Sequence, residues 1–117
     1  MNLDFSEEQD MLRETVRGIC NQLCPSDVVR SMEDDPKGYP DDLWKQFAEL
    51  GLTGIIIPEE FGGSGMGIME AAISYEEIGR SLCPTPHFHS AFLSAKVWLA
   101  SGSDDQKKEW LPKIASG

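Results

Sequence analysis

The sequence has no long apolar run. Runs such as Ile55-Ile56-Ile57 and Val97-Trp98-Leu99-Ala100 are a small fraction of the roughly 20 residues a membrane helix needs, so no membrane span is predicted. Basic charge is scarce: ten Lys and Arg face twenty Asp and Glu, a formal charge of −10. Nucleic acids and anionic membranes bind through accumulated positive charge, so neither is an expected partner. The same surface repels nucleotide phosphates, so an anionic cofactor would have to be held mainly by another domain or by backbone amides. Cysteine is limited to three, an odd number that argues against a disulfide framework. Cys20 and Cys24 share a helix face, but the tight paired spacing of a structural zinc site is missing, and packed thiols explain them better than ligation with His87 and His89. The N-terminus, Met1-Asn2-Leu3-Asp4-Phe5-Ser6, carries no basic segment leading into an apolar one; no secretory signal is read there, and a cytoplasmic location is expected. There is no internal repeat and no low-complexity tract.

What is present fits one domain of 117 residues with an ordinary apolar share of 40%. Leu12, Val16, Ile19, Cys20 and Leu23 recur at helical spacing behind a Ser6/Gln9 capping box, which predicts a helix from about Ser6 to Cys24. A short helix should run from Ser26 or Asp27 to about Asp34. A third, capped by Asp41 or Asp42, carries Leu43, Trp44, Phe47 and Leu50 and ends at Gly51. Leu52 to Ile57 reads as an extended, buried connection. A fourth helix is predicted from about Gly67 to Leu82, with Met69, Ala72, Ile73, Glu76 and Ile78 on a mixed face. Phe88 to Ala100 forms a fifth, apolar nearly all round and therefore expected to be central. A Ser103/Gln106 capping box opens a sixth, which should bend or end near Pro112. The fold class is all-α, an orthogonal bundle of five to six helices.

The conspicuous motif is Pro58-Glu59-Glu60-Phe61-Gly62-Gly63-Ser64-Gly65-Met66-Gly67. Its glycines invite a phosphate-loop reading. Ile68 stands where a dinucleotide fingerprint needs its third glycine, and the Gly-Lys-Ser/Thr of a Walker loop is absent, so a tight structural turn is preferred. Glu76 and Glu77 sit mid-helix beside Tyr75. One of them could be a base with a raised pKa, but a solvated face is the simpler reading. His87 and His89 alternate along the chain, so one can reach a pocket and the other faces solvent. Nothing orients a catalytic set, and no catalytic residue and no metal ligand is assigned.

Read in order, five strings resemble those that open acyl-CoA dehydrogenases: Phe5-Ser6-Glu7-Glu8-Gln9; Pro40 to Leu52; Ile57 to Gly65, the most specific; Glu76-Glu77-Ile78-Gly79-Arg80; and Gly102-Ser103 through Trp110-Leu111-Pro112-Lys113-Ile114-Ala115-Ser116-Gly117. The resemblance covers essentially the whole chain. It implies the N-terminal helical domain of a three-domain enzyme that binds FAD and removes hydrogens from the α and β carbons of an acyl-CoA thioester. In that family a glutamate base takes the α proton and the flavin N5 takes the β hydride. Both lie outside this first domain, so the middle β domain and C-terminal helical domain are absent here, and the chain alone is expected to be inactive and to self-associate. The resemblance further implies an electron-transfer acceptor as partner and a homo-oligomer. It places Thr85, Pro86, His89, Ser90 and Leu93 along the acyl pocket, in a segment whose two prolines and two histidines suggest something other than a plain fatty chain. A non-catalytic partner subunit of a mixed dehydrogenase and an acidic helical interaction module are the alternatives.

Overall fold

The computed structural model describes residues 1–117. It is all-helical, with six α-helices: α1 (Glu7–Leu23), α2 (Ser26–Ser31), α3 (Asp41–Glu49), α4 (Ile68–Arg80), α5 (Ala95–Ser101) and α6 (Asp104–Ala115). A π-helical turn, Phe88–Ser94, leads into α5, and short 3₁₀ turns lie at Leu52–Gly54 and Glu59–Phe61.

Local chemistry sets the helix ends. Ser6 accepts from the Gln9 amide at 3.1 Å while the Gln9 side chain accepts from the Ser6 amide at 3.0 Å, so α1 begins with two of its orphan donors satisfied. Ser103 and Gln106 repeat the device at α6. Gly51, at φ +75, takes the left-handed conformation that stops α3.

The core gathers the buried stripe of α1 (Leu12, Val16, Ile19, Cys20), Leu43 and Phe47 of α3, Ile55 and Ile57, Ala71 of α4, Ala95 of α5 and Leu111 of α6. α1 packs chiefly on α4, while α5 and the π turn pack on α6. The extents are 44 × 43 × 20 Å. A radius of gyration of 14.7 Å exceeds the roughly 13 Å of a compact domain this long, so the molecule is a slab with two broad faces.

Four expectations need correction. Leu52 to Ile57 is buried but not extended. It coils through a 3₁₀ turn, because Gly54 and Ile57 amides donate back to Gly51 and Gly54 carbonyls. α4 buries Ala71, Ile73, Ser74 and Glu77, whereas Met69, Ala72 and Glu76 face outward. The predicted fifth helix is not one regular element, nor is it central: Ala91 and Ala95 are buried, while Phe88, Leu93 and Val97 are exposed. α6 does not end at Pro112 but continues to Ala115, held on either side of the proline by buried Leu111 and Ala115.

Candidate functional site

The glycine-rich string is occupied with its own backbone. The amides of Gly63, Ser64, Gly65 and Met66 donate to the carbonyls of Pro58, Gly54, Ile57 and Ile55, and the Gly67 amide donates to the Glu70 carboxylate at 3.1 Å. A Cβ at Gly63 would run into the Ile57 carbonyl, so only glycine permits this approach. With those amides spent, the loop cannot cradle a flavin diphosphate.

Glu77 contradicts the solvated-face reading; Glu76 follows it. The Glu77 side chain is 2% exposed, against 65% for Glu76. Arg17 grips Glu77 through Nε at 2.9 Å and Nη2 at 2.8 Å, Arg13 Nη1 lies 3.1 Å away, and Arg80 Nε lies at 2.9 Å. The Arg17 hydrogen bonds, with those of Arg80 and Arg13, hold its carboxyl down at about 2 despite burial. A carboxylate this stabilised is a poor proton acceptor; it locks α1 to α4. The signal was in the helix phase: Ile73, Ser74 and Glu77 share one side of α4, and Arg13 and Arg17 are one turn apart on α1.

After α4 the chain passes Pro84 and Pro86 and enters the π turn. His87 is buried, and both ring nitrogens are engaged. Nε2 lies 2.7 Å from the Leu52 carbonyl and Nδ1 2.9 Å from the Tyr75 hydroxyl. A carbonyl only accepts, so Nε2 carries the hydrogen and Tyr75 donates to Nδ1. Burial lowers the His87 pKa, partly opposed by the Leu52 bond, and burial raises that of Tyr75; both are neutral. Phe47 and Trp44 stand edge-on to the imidazole, at 5.7 and 6.5 Å between centroids. His87 thus pins the start of the π turn to the core, and a shallow apolar groove of about 150 Å³ opens beside it. Ala71, Ala72, Tyr75 and Phe92 line it, with exposed Ile68 and Phe88 at its rims.

The five residues placed by resemblance lie along this segment, three of them (Thr85, Pro86, Ser90) part-buried and two (His89, Leu93) exposed. The Thr85 hydroxyl accepts from the His87 amide at 3.3 Å, which fixes the turn. Pro86 is half-buried and accepts the Ser90 amide at 3.0 Å. His89 is exposed against Phe88, with ring centroids 5.7 Å apart. Leu93 is 47% exposed. None of the five lines the apolar groove. Sequence reasoning expected one of His87 and His89 to turn inward without saying which, gave Tyr75 no role and missed the π turn itself. The two histidines were distinguishable only once the fold had set Leu52 against one of them, and no residue pattern marks a π turn. Such turns place an extra residue in a helix and recur at functional sites.

Comparison with known proteins agrees with this geometry. The sequence profile described as "Acyl-CoA dehydrogenase, N-terminal domain" matches residues 6–117. The acyl-CoA dehydrogenase IpdE2 of Mycobacterium tuberculosis is 34% identical over 112 residues, which are 95% of this chain and 34% of that protein. The acryloyl-CoA reductase (NADH) of Anaerotignum propionicum is 34% identical across 100% of this chain and 29% of its own length. Among solved structures, a steroid acyl-CoA dehydrogenase variant, Tcur3481-Tcur3483, superposes with a TM-score of 0.86 at 27% identity, covering 95% of this chain and 30% of that one. The chain therefore spans about a third of the proteins it matches. Helical architecture, loop and sequence agree: this chain belongs to the acyl-CoA dehydrogenase family and comprises that family's N-terminal helical domain.

Proposed function

We propose that this domain walls one side of the acyl slot of an FAD-dependent acyl-CoA dehydrogenase, which removes hydrogens from the α and β carbons of an acyl-CoA thioester. Flavin, catalytic base and electron acceptor are supplied from outside these residues. The role left to this chain is to desolvate the acyl group and hold its reacting carbons in place, which contributes much of the rate of such a reaction. The π turn carries the reading. It presents Leu93 to solvent beside Ser90 and His89, on a backbone held rigid by buried His87. Thr85, Pro86, His89, Ser90 and Leu93 form the substrate-facing strip, with imidazole and hydroxyl groups among apolar ones suiting an acyl group with polar or branched features. In the intact oligomeric enzyme, Leu93→Trp should shift relative kcat/KM between short and long acyl-CoA substrates by about tenfold or more. An unchanged preference removes Leu93 from the slot.

A second reading rests on the solved complex of ChsE4 with ChsE5 from Mycobacterium tuberculosis, which resembles this chain with a TM-score of 0.78 at 27% identity. This chain would then belong to one member of a mixed assembly, and to a non-catalytic one if the base is missing. Purifying the intact protein with and without its gene neighbours, and assaying flavin content and turnover of each, separates the two.

A further inference from the structure

We infer that Cys24 and Cys83 are a modification site: they close to an intramolecular disulfide by exchange with a low-molecular-weight disulfide of the glutathione type. This stands apart from the acyl slot. The two sulfurs lie 3.4 Å apart, and Cys20 completes a cluster of three buried thiols. Both partners are held at capped helix ends. Cys24 caps α1, its amide donating to Cys20 at 2.8 Å. Cys83 follows the end of α4, where the Leu82 amide donates to Gly79 and the Cys83 amide to Ile78, each at 3.0 Å. That closure forces Leu82 to φ +50, a conformation a leucine seldom adopts. The strained residue is what turns Cys83 back against α1.

Access is local. A depression of about 140 Å³ opens among Ser26, Val29, Arg30, Ser81 and Leu82, close in sequence to the two cysteines but lined by neither, so a reagent meets the buried thiols when this edge opens locally. Its lining carries one cation, Arg30, and no carboxylate, in a chain with a formal charge of −10. An anionic thiol reagent is therefore admitted here more readily than over most of the surface. The chemistry is two exchanges. The Cys24 thiolate attacks one sulfur of oxidised glutathione, forms a mixed disulfide and expels one glutathione thiolate. The Cys83 thiolate then attacks the Cys24 sulfur and expels the second. The protein loses two protons and two electrons, and the small disulfide becomes two glutathione thiols. Burial holds the Cys24 thiol above the ordinary range, so the reaction quickens as pH rises. The product ties the end of α1 to the start of the segment that carries the π turn.

The test is to incubate the folded protein with oxidised glutathione, then count free thiols and map peptides under non-reducing conditions. Two of the three thiols should disappear, with the Cys24 and Cys83 peptides joined and two hydrogens lost from the mass. Cys20→Ser should lose both of its remaining thiols in the same way. Cys24→Ser and Cys83→Ser should yield no intramolecular link, and the oxidised wild-type protein should melt above the reduced one. Retention of all three thiols, a stable glutathione adduct, or a link through Cys20 would each overturn the inference.

Discussion

The seam between α1 and α4 and the strip from Pro84 to Leu99 each hold one buried, fully partnered polar side chain, Glu77 and His87, and finish differently. At the seam, Glu77 is answered by Arg13, Arg17 and Arg80, and Arg80 reaches on to Asn21 at 3.1 Å. In the strip, His87 is satisfied just as fully, but the helix it anchors turns Phe88, Leu93 and Val97 outward. Ile68 and Met69 at the start of α4 extend that apolar surface. The seam is complete within this chain. The strip leaves large apolar side chains that this chain does not cover.

Breaking the seam should have the largest effect. Glu77→Ala leaves three arginines crowded without their anion; since Arg17 and Arg80 can still reach water, the expected loss is about 3 kcal/mol, read by urea unfolding. His87→Gln, which keeps a donor for Leu52 and an acceptor for Tyr75, should cost about 1–2 kcal/mol by the same assay.

The two regions should also separate by pH. Glu77 has a folded pKa of about 2, below its unfolded value of 4.5, so its stabilisation is present above 4.5 and is lost as pH falls from there toward 2. His87 is lowered from 6.5, so the unfolded chain takes up its proton first and stability begins to fall below 6.5. Acid unfolding should show both windows, with His87→Gln removing the upper and Glu77→Ala the lower. A single window unchanged in either variant would dissolve the contrast.

The smallest effect on stability should come from the strip's outward face. Leu93→Ser should change it by no more than about 0.5 kcal/mol, yet together with Phe88→Glu it should reduce self-association of the chain in sedimentation experiments. Equal association constants for wild type and double variant would place the contact elsewhere.

Much of the fold was legible because its signals are local. Capping boxes at Ser6 and Ser103, the Gly51 stop and the apolar stripe of α1 each act within a few residues. The misreadings were decisions made at a distance. Glu77 rather than Glu76 turned inward because of arginines some sixty positions away, and His87 rather than His89 because Leu52 offered a carbonyl. Pro112 was tolerated in α6 because Leu111 and Ala115 pack on the core. The strip's residues were named by resemblance, but their exposure had no local signature: apolar on every side reads the same whether the cover lies within the chain or beyond it.

The central claim, that the strip is covered and faces substrate in the working enzyme, is best tested by hydroxyl-radical footprinting of this chain alone, of the intact flavin-loaded enzyme, and of that enzyme with acyl-CoA. Labelling of Phe88 and Val97 should fall in the intact enzyme, and labelling of Leu93 should fall further when substrate binds. Equal labelling of all three side chains in the three samples would contradict the account.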